Sequence, residues 1–296
     1  MKTNNNTFYF LLFLAMIGWG ASWVNAKILS LYINEYEMIF FRFSITAITM
    51  VPIIVYMKKS FRIDRQSFIL VLASSFIFLA YMKYYFLGTK LGTASLGGAF
   101  VTTLAPIITF ILLALLGEKK ITIKESMALV LGAVGVLIML GIWHTSPKEI
   151  LVVHNLYFIL AAILWPILTI MSAKSTKISP LVFTFYLYII TVAIDMIFFV
   201  DAFSIDTSGF DRTFWLNILL LSMVSTTFSN TIYFLGIEKL GASNVSSFIF
   251  LVPFSAIGLS ILFLGEKVDV SMILGTILTI YAVKILNHIK FFKRKI

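Results

Sequence analysis

Four ionisable side chains stand inside long apolar runs, where each needs water, a partner or a route to an interface: Arg42, Lys83, Asp195 and Lys284. Lys83 is flanked by Tyr81, Tyr84 and Tyr85. An ammonium in that company can hold a carboxylate while the rings enclose an apolar moiety. The competing reading is that Lys83 snorkels past Gly88 to the nearer surface, as Lys284 is expected to do at the other. Asp195 can pair with Arg42 or Lys83, which lowers the desolvation cost of both charges, or it can relay a proton. Arg42 and Asp195 are accordingly expected to act as charge partners. Trp19 and Trp165 each fall about eleven residues into an apolar run, near mid-depth rather than in the usual interfacial belt. Ser225, Thr226, Thr227, Ser229, Asn230 and Thr231 crowd one run, and such groups in hydrocarbon want partners on other helices or a wet cavity. Packing in a crowded bundle is the alternative for the tryptophans.

Other chemistries lack their residues. There is no cysteine, which excludes disulfides, zinc-thiolate sites and thiol nucleophiles. His144, His154 and His288 show no ligand spacing, and the motifs GxxxxGK[ST], HExxH and GxSxG are missing. No enzyme, metal or cofactor is therefore expected; coupling falls to a proton or a counter-solute, with facilitated diffusion equally open. The net charge of +10 does not point to nucleic acid, because the basic residues lie between apolar runs.

The elements that position these residues are membrane spans. With 60% hydrophobic and 12% charged residues, and a mean hydropathy of +1.01, the chain cannot hide its apolar surface in one soluble core. A span needs about 20 apolar residues. That ruler gives ten helices, roughly 8–29, 35–57, 67–88, 93–116, 122–141, 154–173, 179–200, 213–236, 242–264 and 269–289. With the N-terminus inside, fifteen Lys and Arg fall in inner loops and five in outer ones, so both termini are expected in the cytoplasm. Lys2, the following apolar run and Val24-Asn25-Ala26 also admit a cleavable signal peptide. Cleavage would leave nine spans and destroy the match described next.

The chain carries its own second copy. YFLGTKLGTAS (Tyr85–Ser95) returns as YFLGIEKLGAS (Tyr233–Ser243), and LGEK (Leu116–Lys119) returns as Leu264–Lys267. Trp19, Lys27 and Pro106 match Trp165, Lys174 and Pro253. Five spans per copy turn the second one upside down, an arrangement common in secondary transporters. The expected units are residues 1–141, an inverted repeat over 154–289, and a basic cytoplasmic tail over 290–296. Proline removes a backbone hydrogen bond, so Pro106, Pro166 and Pro253 are candidate hinges. Gly97 and Gly98 align with Ser246 and Ser247, small residues that let backbones approach.

The duplicated KLG segment, the mid-helix proline, the LGEK that closes the same helix and the Arg42-Phe43 pair resemble the EamA family of the drug/metabolite transporter superfamily. The resemblance covers essentially the whole chain. It implies an all-α, multi-pass inner-membrane protein with two inverted five-helix bundles around a cavity lined mainly by helices 1, 3, 4, 6, 8 and 9. It also implies carriage of a small metabolite by alternating access. A cavity so lined brings together Trp19, Tyr81, Lys83, Trp165 and Asn230 as candidate substrate residues. The first substrate reading is an amino acid. The alternative is a nucleotide-like solute such as S-adenosylmethionine, stacked on tryptophan. A receptor or enzyme that merely uses the cavity is the reading from another class, and the duplicated halves argue against it. The partners implied are a small-molecule substrate and the lipid bilayer, with a monomer or a homodimer equally compatible.

Overall fold

Apolar runs separated by short polar turns fold as ten helices among the residues described by the computed structural model, namely 5–118, 120–140, 152–175, 177–240, 245 and 247–286. They are α1 (Asn5–Leu29), α2 (Glu35–Tyr56), α3 (Arg65–Leu91), α4 (Ala94–Leu115), α5 (Ile123–Met139), α6 (Val153–Ala173), α7 (Pro180–Phe198), α8 (212–240), α9 (247–264) and α10 (Val270–Leu286). Helices α1 to α4 and α6 to α8 are long and apolar enough to cross a membrane, while α5, α9 and α10 are shorter. No strand occurs among the described residues. The starts and ends lie close to the expected spans. The expected start of α9 at 242, the end of α10 at 289, the tail 290–296, Ser246, His144 and His288 lie outside the described residues.

Caps cut the apolar sequence into separate helices. Asn34 accepts from Tyr36 and Glu37 while Glu37 accepts from the Asn34 backbone, a capping box that starts α2. Thr122 and Glu125 start α5 in the same way. Asp64, Thr93, Ser179 and Asp211 cap α3, α4, α7 and α8. The duplicated LGEK has a backbone reason. Gly117 and Gly265 take φ of +75° and +63° just after α4 and α9, a left-handed turn that only glycine makes without strain.

The main pairings are symmetric under exchange of α1–α5 with α6–α10. Helix α1 packs on α8 and α9, and its counterpart α6 packs on α3 and α4. Helix α2 meets α8, as α7 meets α3. The pairs α2–α7, α4–α9 and α5–α10 meet their own counterparts. Phe43 and Tyr188, 145 positions apart and equivalent in the two halves, stack at 4.8 Å on α2 and α7.

The candidate hinge prolines lie within helices or at a helix start. Helices α4 and α6 run continuously through Pro106 and Pro166. Pro253 follows a 3₁₀ turn (Ser247–Phe250) and occupies the first turn of the α-helical part of α9, Leu251–Leu264. A missing N–H there leaves no helical bond unmade.

Candidate functional site

The polar cluster of α8 is built by an unusual turn. Residues Leu220–Phe228 form a π-helix, and their hydroxyls bond backward across five residues. Thr226 Oγ1 donates to the Leu221 carbonyl at 2.8 Å, and Ser229 Oγ to that of Val224 at 2.9 Å. Thr227 bonds the Ser222 carbonyl and also meets Thr49 of α2 at 2.7 Å. Three of the six residues in the expected wet cluster thus bond the wider backbone, while Ser225 Oγ and Thr231 Oγ1 are buried without a hydrogen-bond partner among the described residues. A π segment commonly sits at a functional site, and this one ends two residues before Asn230, which bonds Trp19 of the other half.

From Asn230 a string of polar and aromatic side chains runs through the centre. Trp19 Nε1 of α1 donates to Asn230 Oδ1 at 2.9 Å, and Asn230 Nδ2 donates to the Tyr188 hydroxyl at 2.7 Å. Tyr188 lies 5.6 Å from Phe78, which lies 6.1 Å from Tyr81 on α3. Tyr81 is 5.1 Å from Trp165 on α6, at a 45° tilt. Tyr85 continues the row, 4.3 Å from Trp23 and donating to Ser22 Oγ at 3.2 Å. The string joins both halves. Tyr81 and Tyr188 are buried, whereas Trp165 is 42% exposed and Trp19 is partly buried. Two hollows, about 340 Å³ at 196–203 and about 280 Å³ between α2 and α8, share no lining residue with the string.

Four of the five expected substrate residues, Trp19, Tyr81, Trp165 and Asn230, belong to this string. Lys83 does not. Its ammonium lies 5.3 Å from the Tyr36 ring at the start of α2, where Tyr36 stacks on Phe199 at 4.5 Å. The snorkelling reading describes that place better. Nor does the expected ion pair form. Both carboxylate oxygens of buried Asp195 are without a hydrogen-bond partner among the described residues, and Arg42 turns instead to Thr226, 3.1 Å away. Tyr188 was not expected. Its one signal is chemical, since a tyrosine deep in a span needs a partner for its hydroxyl.

One end of the bundle is tied shut. Both oxygens of Glu266, just after α9, accept from the first backbone N–H groups of α4, Ala94 at 2.7 Å and Ser95 at 2.9 Å. Beside them Lys27 Nζ of α1 donates to the carbonyls of Lys90 (2.8 Å) and Gly92 (2.6 Å) at the end of α3. At the same end Asp211 accepts from the Tyr32 hydroxyl at 3.0 Å. Its carboxyl lies below the usual range chiefly because the Phe214 backbone N–H bonds the charged form. The equivalents Glu118 and Lys174, at the opposite end, are exposed.

Replacing Asn230 by leucine should strand one donor, Trp19 Nε1, and one acceptor, the Tyr188 hydroxyl oxygen. Each loss costs about 1–3 kcal/mol. Thermal unfolding in detergent should show a clear drop for Asn230→Leu, with Asn230→Gln intermediate. Unchanged stability would mean that the string is not bonded as described.

The sequence profile of the EamA-like transporter family matches residues 6–141 and again 153–287. An S-adenosylmethionine uptake transporter from Rickettsia prowazekii (strain Madrid E) is 29% identical over 175 residues, covering 58% of this chain and 57% of that protein. One from Rickettsia bellii (strain RML369-C) is 26% identical over 185 residues, 62% of this chain and 61% of that protein. The chain thus spans about three-fifths of the length of these two relatives. The uncharacterized transporter YoaV of Bacillus subtilis (strain 168) is 24% identical over 287 residues, 94% and 95% of the two chains. A solved crystal structure shares the fold with a TM-score of 0.66 at 15% identity, over 99% of this chain and 100% of that one.

Proposed function

This chain belongs to the EamA-like transporter family, and from that premise we propose that it is a secondary transporter of the cytoplasmic membrane whose solute binds between Trp19, Tyr81, Trp165, Tyr188 and Asn230. Its two five-helix halves, 1–141 and 154–289, are inverted repeats that rock about this string. Both termini face the cytoplasm, so the end tied by Glu266 and Lys27 is the outer one. The observation that carries the reading is the string itself. Side chains from both halves meet along it, with one end of the bundle tied and the equivalent Glu118 and Lys174 at the other exposed. Alternating access requires that asymmetry.

The substrate favoured is S-adenosylmethionine or a solute of like build. Two relatives are named for its uptake. Indole and phenol rings in contact at 5.0–5.1 Å also offer stacking faces to a purine once they separate. The amino acid expected from the sequence finds no support among the relatives and stands as the second reading, since a small solute would leave the tryptophans unfilled.

Uptake into proteoliposomes of purified protein tests this, with labelled S-adenosylmethionine and a labelled amino-acid mixture in parallel. Saturable S-adenosylmethionine uptake that Asn230→Leu abolishes is the expected result. Uptake confined to amino acids would reverse the order of the two substrate readings. Absence of saturable uptake of either would overturn the assignment of this site.

A further inference from the structure

We propose that Arg42 is the anion-binding group of the carrier, its guanidinium holding the carboxylate of the transported solute. The proposal rests on the transport reading above and replaces Lys83 as the group expected to meet that charge. Arg42 sits on α2 and is only 7% exposed. A cation at that depth needs compensation, yet no carboxylate pairs with it among the described residues, and the intramembrane acid Asp195 makes no hydrogen bond to it.

What Arg42 does contact leaves it half satisfied. A guanidinium carries five N–H donors in a planar fork. Nε donates to Thr226 Oγ1 at 3.1 Å, and Nη1 has the weak acceptor Met82 Sδ at 3.9 Å. Two acceptors, one of them a thioether, do not fill a five-donor fork. The remaining surroundings are ring faces: Phe43 at 5.2 Å, Tyr85 at 5.8 Å and Phe86 at 5.9 Å. Cation–π contact supports a buried guanidinium without neutralising it.

Its position suits a ligand. The guanidinium lies 5.8 Å from the ring of Tyr85 in the central string and 5.2 Å from Phe43, which stacks at 4.8 Å on Tyr188 of the same string. A solute that separates the string therefore brings its anionic group toward the fork. Guanidinium and carboxylate match as a bidentate pair, and the low dielectric strengthens that pair. An amino acid and S-adenosylmethionine carry the same α-carboxylate, so one arginine serves either substrate. The aromatic part of the solute would then lie toward Trp19 and Trp165, and the substrate class is a carboxylate-bearing solute.

The test compares solutes in matched pairs in proteoliposomes: S-adenosylmethionine against its decarboxylated form, and an amino acid against its amide. Wild type should prefer the carboxylate member at least tenfold. Arg42→Gln should lose that preference, its uptake of the carboxylate member falling toward that of the decarboxylated one. Arg42→Lys should keep part of the preference. In parallel, thermal unfolding of wild type should shift upward with the carboxylate member and not with its partner, a readout that needs no variant. Equal treatment of both members by wild type, or an equal loss of both in Arg42→Gln, would overturn the assignment and leave Arg42 a structural residue. Failure of wild type to carry any of the four solutes would overturn the transport reading and this proposal together.

Discussion

Alanine at position 266 should open the tied end of the bundle. The Glu266 carboxylate holds two backbone donors at the start of α4, and hydrogen bonds to a charged group contribute about 1.5–3 kcal/mol each. Partial solvent exposure reduces this, and a combined loss of about 2–4 kcal/mol is the expected effect on the closed arrangement. Each 1.4 kcal/mol is a tenfold change in population, so the open form gains at least about tenfold. The absence of native cysteine makes the measurement clean. Ser95→Cys places a single thiol at a fully buried site beneath the carboxylate. Its reaction with a membrane-impermeant maleimide should quicken at least about tenfold in the Glu266→Ala background, with Glu266→Gln between. An unchanged rate would show that Glu266 caps α4 without controlling access. If the two halves are equivalent, Glu118→Ala should leave this rate unaltered or slow it.

Alanine in place of Gly275 should damage the fold itself. Helices α5 and α10 cross where a Cβ on Gly275 would stand 2.5 Å from the Gly135 carbonyl and 2.5 Å from the Met139 amide nitrogen. Both obstacles are backbone, so no side-chain rotation relieves them. Close approach through small residues is how helices associate when lipid competes with any apolar contact. Forcing an extra carbon into such a contact costs about 1–3 kcal/mol, and more where the backbone must move. A fall in the unfolding temperature of about 6 °C or more is expected in detergent. Gly209→Ala serves as the control, because nothing lies within 4 Å of a Cβ there. Equal stability of the two variants would mean that the α5–α10 crossing is looser than described.

Only part of the site was legible before the fold. Counting along each span placed Trp19 and Trp165 at mid-depth, and both joined the central string. Asn230 was legible as a polar side chain in hydrocarbon, although its partners Trp19 and Tyr188, 211 and 42 positions away, were not. The sequence placed Lys83 in the site and Arg42 beside it as a charge partner, whereas Lys83 lies against Tyr36 and Arg42 is buried against Thr226. Rotation about the helix axis separates them, and a span that is apolar on every side carries no stripe marking its inward face. In a soluble helix the polar face would have decided the matter.

The sequence by itself determined the number of helices, their boundaries and the duplication. Those depend on local chemistry: about 20 apolar residues for a span, an Asn, Asp, Ser or Thr cap to start it, and the left-handed glycine of each LGEK to stop it. Tertiary structure alone decided that Asp195 finds no hydrogen-bond partner among the described residues, that Lys83 turns to Tyr36, and that Glu266 is engaged while Glu118 is exposed. The last of these could not be read from the chain, because both LGEK copies are chemically the same. One sequence motif written twice encodes two equivalent ties, and packing of the whole bundle selects which is made.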